Sequence, residues 1–478
     1  SNEKNKELVN IMLAKVKDAK IHRAVIVPYK TSIFDAATII KKEKIPTLLL
    51  KDGNGEIYVV TDSDFRQKVI LNRMDYDDCV CKICTGNLIY INENDFLFNA
   101  QLIMSKHSIK RLVVKNDADE IVGIIDQISL SAFFSMHTFS VSNEIEEAQS
   151  LEELKKASLS FIKIIKSLNV KGVKVEFISK LINQLNRKLI NQIIKLTAPK
   201  ELIGNYCFLV MGSEGRSEQI LRTDQDNALI IKDDCEVPEK IINDYTKQFT
   251  EILIDFGFPR CDGNIMVSNP YWCRKTSEFK KLIKSWVVNK TGDDFMNLAI
   301  FHDALCASGD RKLLEELKEY TFELCSNSQT FYTHFAKIIM DFNVPLGFFD
   351  GFVYDKDKNH KNEIDIKKGG IFILVQSIRS LSLEHKLLRS NTLKRIQVLN
   401  EEGVLDNELA SELTEAFNFL TTLKLRANLQ KLDAGKEIDN YISPKDLNSM
   451  DKDLLKESFK IVNKIKKKLE SRYRLNYT

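Results

Sequence analysis

Residues 206–231 read YCFLVMGSEGRSEQILRTDQDNALII. Two apolar runs of strand length, 206–211 and 228–231, bracket a polar segment. That segment opens on Gly212-Ser213 and closes on Asp224-Gln225-Asp226. Side chains alternate along an extended chain, so Asp224 and Asp226 point the same way. Two adjacent carboxylates suit one or two Mg²⁺ ions bridging phosphate oxygens. Gly212 lets backbone N–H groups approach a phosphate closely, and the Ser213 hydroxyl can donate to it. An Asp-x-Asp pair alone is common in surface turns. The ordered set of strand, Gly-Ser, Asp-x-Asp and strand is what points to a metal–nucleotide site. It is not a Walker P-loop, because no GxxxxGK[ST] occurs and Arg216 is not followed by a Lys-Ser/Thr pair.

This string resembles the active-site signature of the polymerase-β-like nucleotidyltransferase superfamily. Within it, the string is most similar to the branch near the bacterial nitrogen-signalling uridylyltransferase. The resemblance implies transfer of a nucleoside monophosphate from an NTP, with release of pyrophosphate. It implies that Gly212, Ser213 and Arg216 bind the triphosphate and that Asp224 and Asp226 are catalytic and hold Mg²⁺. Superfamily members often place a third carboxylate on a later strand, as general base on the acceptor hydroxyl. Asp262 in GFPRCDGN, just ahead of the apolar triplet 265–267, is the expected third acid, with a turn aspartate as the plain reading.

Further residues carry the resemblance outward. Met266, Asn269, Pro270 and Trp272 match a segment of one bacterial family in which CBS repeats precede a nucleotidyltransferase. Residues 276–325 read as helical, and within them Asp303 and Asp310 fall near that family's helix-end acids and read as structural. In the C-terminal region, His360, Asp365, Lys367, Lys368, Arg379, Asp439 and Asn440 match. The resemblance implies that such groups, Lys367 and Arg379 above all, contact nucleotide or acceptor. A polar network bracing helices is the other reading. The stretch 348–370 reads as a hairpin or short strands before a helix.

Residues 21–135 repeat at a constant offset. Ile33-Phe34-Asp35-Ala36 matches Leu97-Phe98-Asn99-Ala100, and 45–50 (IPTLLL) matches 109–114 (IKRLVV). A unit this small buries little alone, so two are expected to pack together. The pair resembles a tandem CBS pair, named for cystathionine β-synthase, which implies an adenine nucleotide in the cleft. The implied ribose contact is Thr/Ser-x-x-Asp after the second strand. The first repeat supplies Thr61 and Asp64, and the constant offset places Ile125 and Ile128 at the second. One nucleotide site at most is therefore expected, or a CBS pair that only dimerises.

The rest of the composition sets bounds. A net charge of +3 is too small to argue for a nucleic-acid or membrane partner. No apolar run reaches the ~18 residues of a transmembrane helix, and no signal peptide is visible. Nine scattered cysteines read as reduced cytoplasmic thiols rather than a disulfide framework. Cys79, Cys81 and Cys84 lack a second CxxC-like element and read as chance or packing rather than zinc ligands.

The expected fold is a multidomain α+β chain. Residues 1–20 form an N-terminal helix or carry an expression remnant at Ser1-Asn2, with truncation ahead of it. Residues 21–135 form the CBS pair, 136–200 a helical linker, 201–325 the nucleotidyltransferase α/β domain, and 326–478 a mostly helical domain. The expected function is Mg²⁺-dependent nucleotidyl transfer to a hydroxyl acceptor, on a protein by analogy with the uridylyltransferase, adjusted by adenine nucleotide at the CBS pair. The alternative is a non-catalytic nucleotide sensor or interaction protein. A homodimer is implied by resemblance to other CBS pairs.

Overall fold

The computed structural model describes residues 14–137, 139–170, 172–328, 330–347, 350–354 and 358–477. The chain divides into two compact units, Ser1–Val141 and Ser142–Thr478.

The first unit contains the repeat. Its first half runs β1 (Ile26–Pro28), α1 (Ile33–Glu43), β2 (Thr47–Lys51) and β3 (Ile57–Thr61). The second runs β4 (Tyr90–Asn92), α2 (Leu97–Lys106), β5 (Arg111–Lys115) and β6 (Ile121–Asp126). Each half has a three-stranded sheet in chain order, one pair parallel and one antiparallel. Helix α1 starts at Ser32, whose hydroxyl accepts from the Asp35 N–H at 3.0 Å, and ends at Lys44 in the left-handed region. Each half has its own core, Ile33, Leu48 and Val60 in one, Leu97, Leu112 and Ile125 in the other. A third cluster joins them through Leu49 of β2 and Val113 of β5 with Ile124. The two small repeats thus bury apolar surface on each other, as their size requires.

The constant offset fails at one point. In the first half Thr47 pairs with Thr61, but its counterpart Arg111 pairs with Asp126. A β-bulge passes over Val122, so the second repeat carries one extra residue. The counterparts of Thr61 and Asp64 are therefore Asp126 and Ser129, not Ile125 and Ile128. Ile125 is core, and Ile128 is 81% exposed. The second repeat is polar at that position after all.

In the second unit, helices Leu151–Leu159, Phe161–Val170 and α3 (Val175–Thr197) precede a four-stranded sheet. Its strands are β7 (Tyr206–Val210), β8 (Asn227–Ile231), β9 (Cys273–Lys275) and β10 (Leu305–Gly309), in the order β10-β7-β8-β9. β7 and β8 are antiparallel and buried at all five positions each, which is why they read as continuous apolar runs. Helices α4 (Glu239–Asp255), α5 (Thr276–Asn289), α6 (Gly292–His302) and α7 (Arg311–Ser326) complete this part.

Two expectations are corrected here. The triplet 265–267 forms turns, not a strand. Asn227 holds it instead: its N–H donates to Ile265 O at 3.0 Å, and its side-chain oxygen accepts from the Val267 N–H at 2.8 Å. Gly263 on one side and Pro270 on the other leave no room for a ladder. Conversely, 305–309 is a strand inside a stretch read as helical. Gly309 takes φ +97° there, and a Cβ would lie 2.2 Å from the Tyr206 carbonyl oxygen.

The C-terminal part holds α8 (Phe372–Glu384), α9 (Thr392–Glu401), α10 (Asn407–Asp433) and α11 (Ser449–Tyr473) around a leucine- and isoleucine-rich core. Of the two readings of 348–370, a short strand before a helix is what forms, and its partner is distant. β11 (Ile364–Asp365) pairs with β12 (Tyr441–Ile442), and a π-helical turn, Lys367–Ile371, leads into α8. Phe348, Phe349 and 355–357 lie outside the described residues, as do 1–13. Cys79 and Cys81 form a disulfide, which corrects the expectation of uniformly reduced thiols, while Cys84 is free. Among the described residues, no helix is long and apolar enough to cross a membrane.

Candidate functional site

The register of β7 and β8 builds the site. Val210 pairs with Asn227, and the Met211 N–H donates to Asp226 O at 2.8 Å. The chain leaves β7 at Gly212 directly beside the start of β8. Gly212 adopts φ +58°, and a Cβ there would lie 2.5 Å from an Asp226 carboxylate oxygen. Glycine is required twice over, for conformation and for room. Gly212–Gly215 then forms one helical turn.

Ligand atoms of Asp224, Asp226 and Cys261 all lie within 4.8 Å of one another. The two aspartates converge, as alternation along an extended chain demands. The third member differs from expectation. Asp262 is exposed in a turn and outside this trio, whereas the thiol of its neighbour Cys261 belongs to it. Without a strand at 265–267, nothing turns Asp262 inward. Burial, then the neighbouring Asp224, push the Asp226 carboxyl up to about 6.

Three further groups escaped the sequence reading. Cys261 is one. Glu214, in the helical turn, is only 6% exposed, and its Oε1 has no hydrogen-bond partner. Burial pushes its carboxyl up to about 7; Arg222 opposes this, and Asp226 and Asp224 add to it. Lys424 on α10 is the third. Burial, then Lys367, pull its ammonium down to about 8, against the attraction of Asp224. A cavity of about 100 Å³ opens nearby, between the polar segment 213–223 and the C-terminal helices. Ser213, Thr223, Lys367, Thr421, Lys424 and Asn428 are among its lining. Glu214 lies inside the quoted motif, so an acid in a glycine-flanked turn was a usable signal. Lys424 gave none, since nothing local says which face of a long helix meets another domain.

Arg216 and Arg379 are engaged elsewhere. Arg216 donates to Glu218 at 2.7 Å and to Asp303 at 2.9 Å. Arg379 donates to Asp303 at 3.0 and 2.5 Å and also to Gln376. Arg395 donates to the other Asp303 oxygen at 2.7 Å. Asp303, 0% exposed, is thus gripped by three guanidinium groups. Burial would raise its pKa, but Arg379, Arg395 and Arg216 hold it well below the usual carboxylate range. Arg379 is therefore part of a structural hub, which corrects its assignment to nucleotide. Arg216 still lines the cavity, but its charge is already matched by two acids.

The remaining matched residues part company. Lys367 lines the cavity. His360 stacks on Tyr441 with ring centroids 3.5 Å apart and bonds Glu363 at 2.6 Å. Asp365 accepts from the Lys368 N–H at 2.8 Å, Asp439 is paired with Lys431, and the Asn440 carbonyl accepts from the Ile366 N–H. Those groups brace β11 and β12.

In the first unit, Thr61 and Asp64 meet each other. The Thr61 N–H and hydroxyl both donate to one Asp64 oxygen, at 2.8 and 2.9 Å, and Lys68 pairs with the other at 2.8 Å. In the second repeat Asp126 accepts from the Ser129 N–H at 2.7 Å and pairs with His22 at 2.8 Å.

Comparison with known families follows the same division. Residues 80–134 match the CBS domain, 160–293 match "Putative nucleotidyltransferase DUF294", and 329–473 match "Putative nucleotidyltransferase substrate binding domain". Among curated proteins, the chain is 35% identical over 72 residues to the uncharacterized protein MJ1404 of Methanocaldococcus jannaschii, covering 15% of this chain and 17% of that one. It is 28% identical over 112 residues to MJ0450 of the same organism, covering 23% and 60%. The chain thus spans less than two thirds of either relative. Among solved structures, it is similar to the CBS domain protein PAE2072 from Pyrobaculum aerophilum complexed with AMP. Identity is 21%, with 26% of this chain and 98% of that one covered, at a TM-score of 0.24. It is also similar to the CBS domain pair of protein MJ0100 in complex with 5′-methylthioadenosine and S-adenosyl-L-methionine. There identity is 26%, coverage 26% and 98%, and TM-score 0.23.

Proposed function

From a chain that matches a CBS domain, a nucleotidyltransferase domain and its substrate-binding domain, we propose a divalent-cation-dependent nucleotidyltransferase. It moves a nucleoside monophosphate from an NTP to a hydroxyl, carried by a protein in the reading we favour. The observation that carries this is the convergence of Asp224 with Asp226, which lies against the bare Cα of Gly212, near a cavity lined by two lysines.

The carboxylate pair fits a divalent cation, which Asp224 and Asp226 would hold. Bound there, a cation would neutralise phosphate charge and polarise the reacting phosphoryl group. The chain's own residues do the rest. The backbone after Gly212 and the Ser213 hydroxyl orient the phosphates, and Lys367 and Lys424 match their charge from the facing domain. The acceptor oxygen bonds to the α-phosphorus, the bond to the bridging oxygen breaks, and pyrophosphate leaves. The acceptor's proton passes to a carboxylate oxygen of the acidic pair.

Adenine nucleotide at Thr61 and Asp64 would adjust this activity, by favouring one conformation of the chain. Ribose hydroxyls would have to replace the internal Thr61–Asp64 bonds, and Asp126 and Ser129 offer a second place to test. A CBS-mediated homodimer belongs to the same proposal. The decisive experiment incubates the chain with Mg²⁺, each labelled NTP and cell extract as acceptor source. Label transfer or pyrophosphate release, abolished in Asp224→Asn/Asp226→Asn, supports the enzyme. Binding without turnover supports a nucleotide sensor, the reading favoured by the exposed Asp262 and the engaged Arg216.

A further inference from the structure

The donors at the acidic pair are not all oxygen. Cys261 contributes a sulfur within 4.8 Å of both carboxylate ligand atoms. Its position is built in. The Gln225 N–H donates to Pro259 O at 3.0 Å, and the Asn227 N–H donates to Ile265 O at 3.0 Å. These two bonds bracket the Cys261 turn and alternate with Asp224 and Asp226 along the chain. A second feature points to a cation. Glu214, more than nine-tenths buried, keeps an unpartnered Oε1 and acts electrostatically on both aspartates. Two acids beside one thiol, with the buried Glu214 acting on both, create a negative potential that a cation would offset.

We infer that Asp224, Asp226 and Cys261 form a three-ligand site for a sulfur-accepting divalent cation of the Zn²⁺ or Co²⁺ kind, taken in preference to Mg²⁺. This rests on the proposed transferase site and deepens it by naming the metal. Mg²⁺ demands near-octahedral oxygen ligands and dehydrates reluctantly. A thiolate shifts preference toward Zn²⁺ and its neighbours. Three protein ligands with one position left open is how catalytic Zn²⁺ is held, and a phosphate oxygen would take the open place. On binding, the Cys261 S–H bond breaks, an Sγ–metal bond forms, and the proton leaves to solvent.

The test titrates the full chain with Co²⁺ in the absence of nucleotide. The expected result is a near-ultraviolet sulfur-to-cobalt charge-transfer band. Cys261→Ser removes it and weakens Co²⁺ binding by at least about tenfold, the lower end of what even a supporting group costs a metal site. Asp224→Asn/Asp226→Asn also removes the band, and Cys84→Ser keeps it. Equimolar Mg²⁺ does not displace Co²⁺. The inference is overturned if the wild-type chain shows no band, if Cys261→Ser keeps it, or if equimolar Mg²⁺ abolishes it. The wild-type measurement stands even where a variant does not fold. Turnover plays no part in this readout. A chain that binds Co²⁺ through Cys261 yet transfers nothing sinks the transferase reading alone, and one that transfers with Mg²⁺ and shows no band sinks this inference alone.

Discussion

Asp303 and Asp226 belong to the same unit and are treated in opposite ways. Asp303 is fully buried and takes charge-assisted hydrogen bonds from Arg216, Arg379 and Arg395. Its charge is offset several times over, and it stays ionised far below neutral pH. Asp226 faces another carboxylate and a thiol, and its pKa rises to about 6. One acid has been satisfied and the other crowded. A satisfied buried charge ties helices together; Asp303, at the end of α6, holds Arg379 of α8 and Arg395 of α9. Crowded like charges cost stability, and a fold keeps them where a ligand later offsets the cost.

The contrast breaks first on activity. Asp224→Asn/Asp226→Asn should lower nucleotidyl transfer by at least about 1,000-fold, roughly 4 kcal/mol of transition-state stabilisation. Its melting temperature should stay level or rise, because like-charge repulsion is relieved. Asp303→Asn should do the reverse. Leaving three guanidinium groups short of a partner should destabilise the unit by about 3–5 kcal/mol in denaturant melts. If the pair variant melts far below the wild type, or if Asp303→Asn melts normally, the division between the two sites fails.

Gly212→Ala probes the crowded site through its contact with Asp226 and should be milder. A Cβ at φ +58° and 2.5 Å from the Asp226 carboxylate should cost about 2–4 kcal/mol through backbone strain and overpacking. Because the side chain displaced is Asp226, transfer should fall further than stability alone accounts for. Equal losses in a melt and in a transfer assay, once corrected for the folded fraction, would remove Gly212 from the site.

Which parts were legible follows from locality. The β7–Gly212–Asp224–Asp226–β8 unit is encoded within one contiguous stretch, where alternation and a glycine suffice. The repeat was legible from its matched apolar runs, yet one bulged residue at Val122 was enough to misplace the second polar pair. The facing wall of the cavity was legible only at Lys367. Lys424 is set by how α10 packs, and Arg379 by a hub assembled from α6, α8 and α9, none of which leaves a local pattern. Asp262 was the expected third acid because a carboxylate was sought just ahead of a strand at 265–267, and that strand does not form. Only the hydrogen bonds of Gln225 and Asn227 show which of the two neighbours turns inward.

The smallest effect is set by Glu214, which sharpens the comparison because it is crowded without being engaged. Folding raises its carboxyl from the ordinary 4.5 to about 7. Between those values the folded chain holds a proton that the unfolded chain has lost. Stability therefore falls as pH rises through that window, the opposite of what Asp303 produces. Glu214→Gln removes the titration. It should change stability little below about pH 4.5 and raise it by about 1–2 kcal/mol above pH 7, since the amide must still find partners for its own N–H groups. Divalent cation added at pH 8 should narrow that gap, because a cation at Asp224 and Asp226 lowers the cost of ionising Glu214. The same cation should leave the gap unchanged in Asp224→Asn/Asp226→Asn. A pH-independent difference between the wild type and Glu214→Gln would mean that this carboxylate does not feel the acidic pair at all.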